Sequence, residues 1–352
     1  MNFLQKLFNS DPFLIKKKEH FFNQKILILT KHHYKRSPIY RSLINKFNFK
    51  FKGQHNLENF PYLPITLFKE LDLISTPKNN IVKILFSSGT SGSGRSKIFL
   101  DKSNSLNQIK TLKSIMTKFL GHERLPMLII DRNPSSNIKD NLTARSAAIL
   151  GFSIFGKKYT YLLNENNEID YNLLNIFLKK FNKKKFLVFG FTSFIYENLI
   201  IKIDSKKLKF EMNNALLLHG GGWKKMEENK ISNKIFKEKL FKKFKIKDVQ
   251  NYYGLIEQTG SIFVECQNCN SFITSIYSDV LIRDSNFRVL KRGQKGLIQL
   301  ISLVPSSYPG HNIITEDIGA IVDRKHNCKI NAKHFMVYGR SIKSEIRGCS
   351  DV

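Results

Sequence analysis

The chain has 352 residues, of which 41% are hydrophobic, and it is long enough to form one large domain or two. No apolar run approaches the length of a membrane span, and residues 1–20 lack the uninterrupted apolar region of a signal peptide, so we expect a cytoplasmic protein without a membrane span. The net charge of +30 allows a nucleic-acid partner, but no recognition-helix, zinc-finger or aromatic–basic motif accompanies the scattered lysines. Nucleic-acid binding is therefore kept only as an alternative.

The first 80 residues are expected to be mainly helical, with an extended segment where Pro61 and Pro64 restrict the backbone. Two short apolar runs follow, Ile81–Phe86 and Ile98–Leu100, and both are typical of buried strands. Glycines, hydroxyl side chains and two cations fill the stretch between them. The sequence thus places a polar, glycine-rich loop between two strands.

This loop has the composition of a phosphate-binding site. Glycine lets the backbone approach a ligand closely, and successive free N–H groups form a concave nest for an anion. The predicted phosphate-binding residues are Ser87, Ser88, Gly89, Thr90, Ser91, Gly92, Gly94 and Lys97. Arg95 stands where a P-loop would have its lysine, and no helix pattern follows, which argues against a P-loop NTPase. A flexible glycine–serine surface loop is the alternative.

Predicted helices and strands alternate from the loop to Gly260. One helix starts at Asp101 or Ser103, has apolar residues at helical spacing from Leu106 to Phe119, and ends before a glycine at position 121. The alternation predicts an α/β fold with a large, mostly parallel sheet and ligand loops at the strand ends. After Gly260 the pattern changes to short strands between turns. We expect an α/β nucleotide-binding region over residues 1–260, a smaller β-rich subdomain over 261–340 and a tail over 341–352.

Four further polar stretches contain glycine and follow predicted strands: His219–Trp223, Asn251–Gly260, Ile314–Gly319 and Tyr338–Arg340. The three glycines of the first stretch allow a flat purine to lie against backbone. The second offers an aromatic face and a carboxylate, Glu257, which is suited to holding Mg²⁺ against phosphates. The third has an acidic pair able to accept hydrogen bonds from ribose hydroxyls. Each stretch taken alone is equally compatible with a structural turn.

The four cysteines do not suggest a disulfide scaffold in a chain of this length, and reduced thiols are expected. Cys266 and Cys269 have the spacing of half a zinc site, and a structural site needs four ligands. Cys328 with His326 could in principle complete it. The alternative is two thiols on a β-hairpin, and we expect this rather than a metal site.

The ordered set of five loops resembles the adenylate-forming superfamily, which includes acyl-CoA synthetases and firefly luciferase. Four stretches resemble its acyl-protein synthetase branch, the LuxE-type long-chain-fatty-acid–protein ligases: His219–Lys224, Tyr253–Gln258, Ser307–His311 and Glu345–Asp351. The resemblance implies the N-terminal-domain-like fold of the superfamily. The chain stops 12 residues after Arg340, so we expect the C-terminal lysine-bearing domain to be absent.

The resemblance also implies a reaction. A fatty acid and ATP, with Mg²⁺, give acyl-AMP and pyrophosphate, and the acyl group then passes to a thiol of the enzyme for delivery to a reductase partner. The implied catalytic residues are Lys97, Glu257, Arg340 and Cys349, and the implied nucleotide-binding residues outside the phosphate loop are Gly220, Gly221, Gly222, Tyr253, Gly254 and Asp317. An acyl-CoA ligase that uses free coenzyme A is the main alternative.

The implied acyl acceptor is Cys349, which only three residues follow. Arg347 lies close in sequence and favours the thiolate, the form that attacks an acyl adenylate. An ordinary exposed thiol on a frayed terminus is the alternative.

Overall fold

The computed structural model describes residues 2–14, 18–87, 94–133, 142–203, 211–223, 230–325 and 328–341. The helices are α1 Asn2–Phe8, α2 Lys18–Arg36, α3 Pro38–Asn45, α4 Leu67–Glu70, α5 Lys102–Leu120, α6 Ala144–Phe152, α7 Tyr171–Phe181, α8 Thr192–Ile195 and α9 Asn233–Phe244. The first strands are β1 Leu63–Pro64, β2 Ile81–Phe86, β3 Lys97–Asp101, β4 Leu125–Arg132, β5 Leu142–Thr143, β6 Gly156–Leu163, β7 Phe186–Phe191, β8 Ala215–Gly220 and β9 Asp248–Tyr253. The remaining strands are β10 Phe263–Glu265, β11 Phe272–Ile273, β12 Ser278–Arg283, β13 Gly296–Ser302, β14 Asn312–Val322 and β15 His334–Arg340. None of the described helices is both long and apolar enough to cross a bilayer.

The described residues fall into two compact units. One unit takes those within Met1–Ile115 and Gly254–Glu345, and the other takes those within Met116–Tyr253. The sequence did not indicate that the N-terminal residues would pack with the C-terminal strands. The predicted domain limits at residues 260 and 340 stay a prediction.

The unit within Met116–Tyr253 is built on a parallel sheet in the order β6-β4-β7-β8-β9. Strand β7 is buried at every position, as expected for a central parallel strand covered on both faces. Residues of α7 and α9, such as Leu174 and Phe236, pack with sheet residues such as Val188 in one apolar core. The alternation of strands and helices is thus the predicted α/β pattern, to which the structure adds β6, a strand that the sequence did not suggest.

Antiparallel strands dominate the other unit, in the order β12-β13-β14-β15-β11-β10, with the short β1 parallel to β14. The expected β-rich character of the chain after Gly260 is therefore present. Helix α2 is tied to β12 by a buried ion pair, in which Lys18 Nζ lies 3.0 Å from Asp279 Oδ2 and also donates to the carbonyl of Ser278 at 2.6 Å. This contact is one reason why the N-terminal helices belong to the β-rich unit.

Helix α5 has the predicted limits, but the face that its first half buries is not the one that its apolar spacing suggests. Leu106 and Ile109 are 47% and 43% exposed, whereas Asn104 and Thr111 are fully buried. The Asn104 Oδ1 atom accepts hydrogen bonds from the backbone N–H groups of residues 306 and 307, at 2.6 and 3.0 Å. A buried polar side chain that satisfies backbone donors replaces the expected apolar contact, so the first half of the helix turns its polar side inward.

Candidate functional site

Strands β2 and β3 form the predicted hairpin around the glycine-rich loop, with Phe86 opposite Lys97. The loop is closed at its base by Ser87 and Ser96, because the Ser87 N–H donates to the Ser96 carbonyl at 3.0 Å and the Ser96 N–H donates to Ser87 Oγ at 2.8 Å. Gly94 lies against the Lys69 carbonyl, which a Cβ atom at position 94 would approach to 3.0 Å. The predicted residues Ser88, Gly89, Thr90, Ser91 and Gly92 lie outside the described residues.

Lys97, the predicted catalytic lysine, is paired with Asp72. Its Nζ atom lies 3.0 Å from Asp72 Oδ1, and the two side chains are 44% and 55% exposed. An ion pair this exposed is worth at most about 1 kcal/mol. The lysine is therefore held only weakly and is available to an anionic ligand at the end of the loop.

Glu257 is buried, with 4% of its surface exposed, in a short helical turn over Ile256–Gln258. Burial raises the pKa of Glu257, while a hydrogen bond from the Ser96 side chain and the charges of Lys69 and Arg340 act in the opposite direction. The net result is a raised pKa, because the effect of burial exceeds that of these neighbours. Such a carboxylate is suited to a bound cation.

The segment Ser307–His311 supports the Glu257 turn. The Tyr308 hydroxyl donates to the Glu257 carbonyl at 2.9 Å, and Gln258 Nε2 donates to the Gly310 carbonyl at 2.8 Å. A Cβ atom at Gly310 would lie 2.5 Å from the Glu257 carbonyl oxygen, so only glycine fits there. At the end of the segment, burial lowers the pKa of His311 to about 3 and leaves the ring neutral, with Nε2 3.1 Å from the Thr30 hydroxyl.

Asp317 and Arg340 face each other on neighbouring strands, as register partners of β14 and β15. The Arg340 Nε atom lies 3.9 Å from Asp317 Oδ1, and the aspartate is mostly buried while the arginine is more exposed. The Asp317 N–H donates to the Thr315 hydroxyl at 3.1 Å, and the pairing of the two strands shifts register between Ile318 and Gly319. Such irregularities are common beside active sites, where they redirect side chains. The same unit thus holds Glu257, Asp317 and Arg340.

The three predicted glycines begin at the end of β8 in the parallel-sheet unit. Gly220 lies opposite Tyr252 in the register of β8 and β9, and a Cβ atom on Gly220 would come within 2.5 Å of the Tyr252 ring. That ring packs in turn on Phe152, with centroids 4.7 Å apart. Gly221 has a φ of +78°, which favours glycine, while a Cβ atom on Gly222 would meet nothing within 4 Å among the described residues.

A tyrosine with no predicted role lies on the first of these glycines. The sequence assigned Tyr253 to the nucleotide, and its neighbour Tyr252 is the residue in register with Gly220. Side chains alternate along a strand, so two adjacent tyrosines point to opposite faces. A count of register from β8 to β9 would have found Tyr252. Gly254 packs on Ile262, with 3.0 Å from a Cβ atom at Gly254 to Ile262 Cγ2.

Other site residues gave no signal in the sequence. Ser96 and Lys69 were not predicted, although both act on Glu257. A buried pair in the parallel-sheet unit was missed as well: Arg145 Nε donates to Asp131 Oδ2 at 2.6 Å near the end of β4, and Nη2 of the arginine contacts the other carboxylate oxygen. A bidentate pair of this kind fixes the end of a strand.

The three cysteines within the described residues lie together. Cys266 and Cys269 are on the turn between β10 and β11, and their sulfur atoms and that of Cys328 are within 4.8 Å of one another. The structure joins Cys269 and Cys328 as a disulfide and leaves Cys266 a thiol, where reduced thiols were expected. Cys349 lies outside the described residues.

Comparison with solved structures defines the class of this fold. An open conformation of 2-hydroxyisobutyryl-CoA ligase, in complex with 2-HIB-AMP and CoA, matches with a TM-score of 0.69 and 13% identity over 94% of this chain and 76% of that chain. The luciferase-like enzyme of the nonluminescent mealworm Zophobas morio matches with a TM-score of 0.51 and 17% identity over 77% and 60% of the two chains. The fold is that of the adenylate-forming enzymes, and the predicted fold class is confirmed.

Sequence comparison identifies the branch. The model of the family "Acyl-protein synthetase, LuxE" matches residues 2–352, and the chain belongs to this family. A long-chain-fatty-acid–luciferin-component ligase of Aliivibrio fischeri is 23% identical over 300 residues, which cover 82% of this chain and 76% of the relative. A ligase of the same name from Vibrio harveyi is 20% identical over 299 residues, with the same two coverages. The predicted family is confirmed, and with it the enzyme class, an AMP-forming ligase.

Proposed function

We propose that this enzyme activates a long-chain fatty acid with ATP in the cytoplasm, and that it carries the acyl group on Cys349 for delivery to a reductase partner. The observation that carries the proposal is the grouping of Glu257, Asp317 and Arg340 in one unit, in a chain that belongs to the acyl-protein synthetase family. The names of the Aliivibrio fischeri and Vibrio harveyi relatives support a long-chain fatty acid as the substrate.

In the first step, a carboxylate oxygen of the fatty acid attacks the α-phosphorus of ATP. A new O–P bond forms, the bond to the β-phosphate bridge breaks, and pyrophosphate leaves. Negative charge builds on the phosphorus oxygens, and preorganised cations and N–H groups stabilise it best in a site that excludes water. We assign this role to Arg340, Lys97 and the phosphate loop.

Magnesium fits the residues around Glu257. Mg²⁺ usually takes one or two carboxylates together with substrate phosphates and water. Glu257 offers one such carboxylate, and a cation bound beside it would favour the ionised form that burial disfavours. When bound, the ion would neutralise phosphate charge. Ser96 and the Tyr308 contact hold the carboxylate and its backbone in place.

Nucleotide binding is shared among the remaining predicted residues. We assign the ribose hydroxyls to Asp317 and the triphosphate to the loop that Ser87 and Ser96 close. The backbone of residues 220–222, with Tyr253 and Gly254, is assigned to the adenine. The open space at Gly222 supports a close approach of a ligand to this backbone.

In the second step, the Cys349 thiolate attacks the carbonyl carbon of the acyl adenylate. A thioester forms, AMP leaves with the electron pair of the broken C–O bond, and the thiol proton passes to solvent. Thioester carriers require a nucleophilic thiolate, which the neighbouring Arg347 favours. A reductase would then receive the acyl group.

Pyrophosphate exchange with ATP and a panel of fatty acids tests the first step. We expect exchange that depends on a long-chain acid, and we expect it to fall strongly in Lys97→Ala and Glu257→Gln. Glu238→Gln, an exposed carboxylate on α9, is the control and should behave as the wild type. Consumption of free coenzyme A would favour an acyl-CoA ligase. An absence of exchange together with salt-dependent nucleic-acid binding would favour the nucleic-acid alternative.

Labelled fatty acid tests the second step. Cys349→Ser should retain normal pyrophosphate exchange and lose the hydroxylamine-sensitive label on the protein. Ser350→Ala, at the position next to Cys349, is the control and should still become labelled. A label that survives in Cys349→Ser would show that another group accepts the acyl chain.

A further inference from the structure

Three cysteine side chains from two separate parts of the chain meet in the β-rich unit. Cys266, Cys269 and Cys328 are 7%, 9% and 5% exposed, and all three sulfur atoms lie within 4.8 Å of one another. The Cys266 and Cys328 sulfur atoms are 3.5 Å apart. The proposed acyl transfer uses none of these thiols, so the cluster has no role in that reaction.

The turn that carries Cys266 and Cys269 has the hydrogen bonds of a compact loop. The Cys266 carbonyl accepts from the N–H groups of Cys269 and Asn270, at 3.2 and 2.8 Å. Asn270 follows the second cysteine with a φ of +54°, a left-handed conformation that asparagine tolerates well. This turn directs two thiols with metal-ligand spacing to the same place.

Cys328 reaches the turn because its chain segment leads into β15. Strand β15 pairs with β11, which leaves the turn, and Phe272 lies opposite Phe335. The Cys328 N–H donates to the Lys325 carbonyl at 3.0 Å. Two neighbouring segments of the chain therefore bring three cysteine sulfur atoms to one point.

We propose that Cys266, Cys269 and Cys328 bind a structural Zn²⁺ ion as thiolates, with a non-cysteine ligand in the fourth position. In a tetrahedral site with Zn–S bonds of about 2.3 Å, sulfur atoms lie about 3.8 Å apart. The distance between Cys266 and Cys328 is already close to this value. Burial and three sulfur donors select a soft or borderline metal over Mg²⁺ or Ca²⁺.

A zinc ion would bind all three sulfur atoms, whereas a disulfide joins only two of them. A disulfide between Cys269 and Cys328 requires an oxidant that takes two electrons and two protons, and it leaves Cys266 as a buried thiol. Zinc binding requires no oxidant, releases the three thiol protons to solvent and gives every sulfur a ligand role. The Cα atoms of Cys269 and Cys328 are 6.8 Å apart, at the outer limit of the disulfide range.

The ion would fix the β10–β11 turn to the segment that enters β15. That strand pairs with β14 and ends at Arg340, opposite Asp317. The zinc site is therefore placed to stabilise the pair of strands that carries these two residues. Its role is structural, since none of the three cysteines is assigned to the reacting groups.

Metal analysis of the full-length chain, purified under reducing conditions, tests the proposal. We expect about one zinc per chain in the wild type and a loss of zinc in Cys266→Ser and Cys328→Ser. Cys349→Ser supplies the matched control, because it removes the fourth cysteine of the chain and should keep the full zinc content. Substitution with Co²⁺ should give the sulfur-to-metal charge-transfer absorption of a thiolate site.

Chelation tests the same site without any substitution, in case the serine variants fail to fold. A chelator should lower the melting temperature of the wild type and expose three additional thiols, and added Zn²⁺ should reverse both changes. Metal-free protein that yields a linked Cys269–Cys328 peptide would overturn the proposal. Equal zinc in the wild type and in Cys266→Ser would overturn it too, because the metal would then lie elsewhere.

Discussion

Gly220 and Gly222 are two positions apart on the proposed adenine loop, but a methyl group meets different surroundings at each. At Gly220 the new Cβ atom would lie 2.5, 2.6 and 2.8 Å from three atoms of the Tyr252 ring. Ordinary contact requires roughly 1 Å more, and Phe152 packs on the same ring at 4.7 Å between centroids. At Gly222 nothing lies within 4 Å among the described residues.

The two alanine variants should therefore fail in different ways. Gly220→Ala overpacks the contact with the Tyr252 ring and should cost about 1–3 kcal/mol of unfolding free energy. Gly222→Ala should stay within about 0.5 kcal/mol of the wild type when no nucleotide is bound. If the Gly222 backbone touches the adenine, the methyl group added in Gly222→Ala should nevertheless weaken ATP binding about 10-fold, which corresponds to about 1.4 kcal/mol.

Denaturant unfolding without nucleotide and the KM for ATP in pyrophosphate exchange measure the two effects separately. A wild-type unfolding midpoint in Gly220→Ala would refute the packing argument. A wild-type KM for ATP in Gly222→Ala would refute the close approach of nucleotide to this backbone, whatever the result at Gly220.

Two further predictions concern the β-rich unit. Burial would raise the pKa of Asp279, but Lys18 and Lys333 lower it from 3.8 to about 2. The stability that this shift contributes is complete above about pH 4 and is lost as the pH falls through 2. In urea unfolding at pH 7, Asp279→Asn should lose about 3 kcal/mol of unfolding free energy. The difference between this variant and the wild type should shrink in acid. Asp317→Asn removes the charge opposite Arg340 and a proposed ribose acceptor, so it should raise the KM for ATP about 10-fold or more while urea stability changes little. An unchanged KM would remove the ribose role from Asp317.

Local sequence patterns predicted the secondary structure well in segments with a single apolar face or a single apolar run. The apolar runs before and after the glycine-rich loop became β2 and β3. Helix α5 shows where such patterns fail. Its buried Asn104 is held by partners about 200 residues away in the chain, and no local period could indicate them.

The residues of the candidate site also fall into two groups: those that sequence motifs indicate and those that only the pairing of strands brings together. Glu257, Asp317 and Arg340 were named from their motifs, because their residue types and order carry the chemistry. Tyr252 was missed, since only the register of two strands shows which of two adjacent tyrosines lies on Gly220. The position of Cys328 beside the other cysteines depends on the pairing of β11 with β15, which the sequence spacing does not encode.

The position of Arg340 at the end of β15 sets a limit on the acyl acceptor. Cys349 is nine positions after Arg340, and a chain of that length spans at most about 30 Å. One thiol confined to a sphere of that radius has an effective concentration on the order of 10 mM, the range that short tethers supply. A free thiol would need a similar concentration to compete for the acyl adenylate. If Cys349 is the acyl acceptor, as proposed, the covalent tether alone would direct the acyl group to the enzyme, without a pocket that recognises the cysteine.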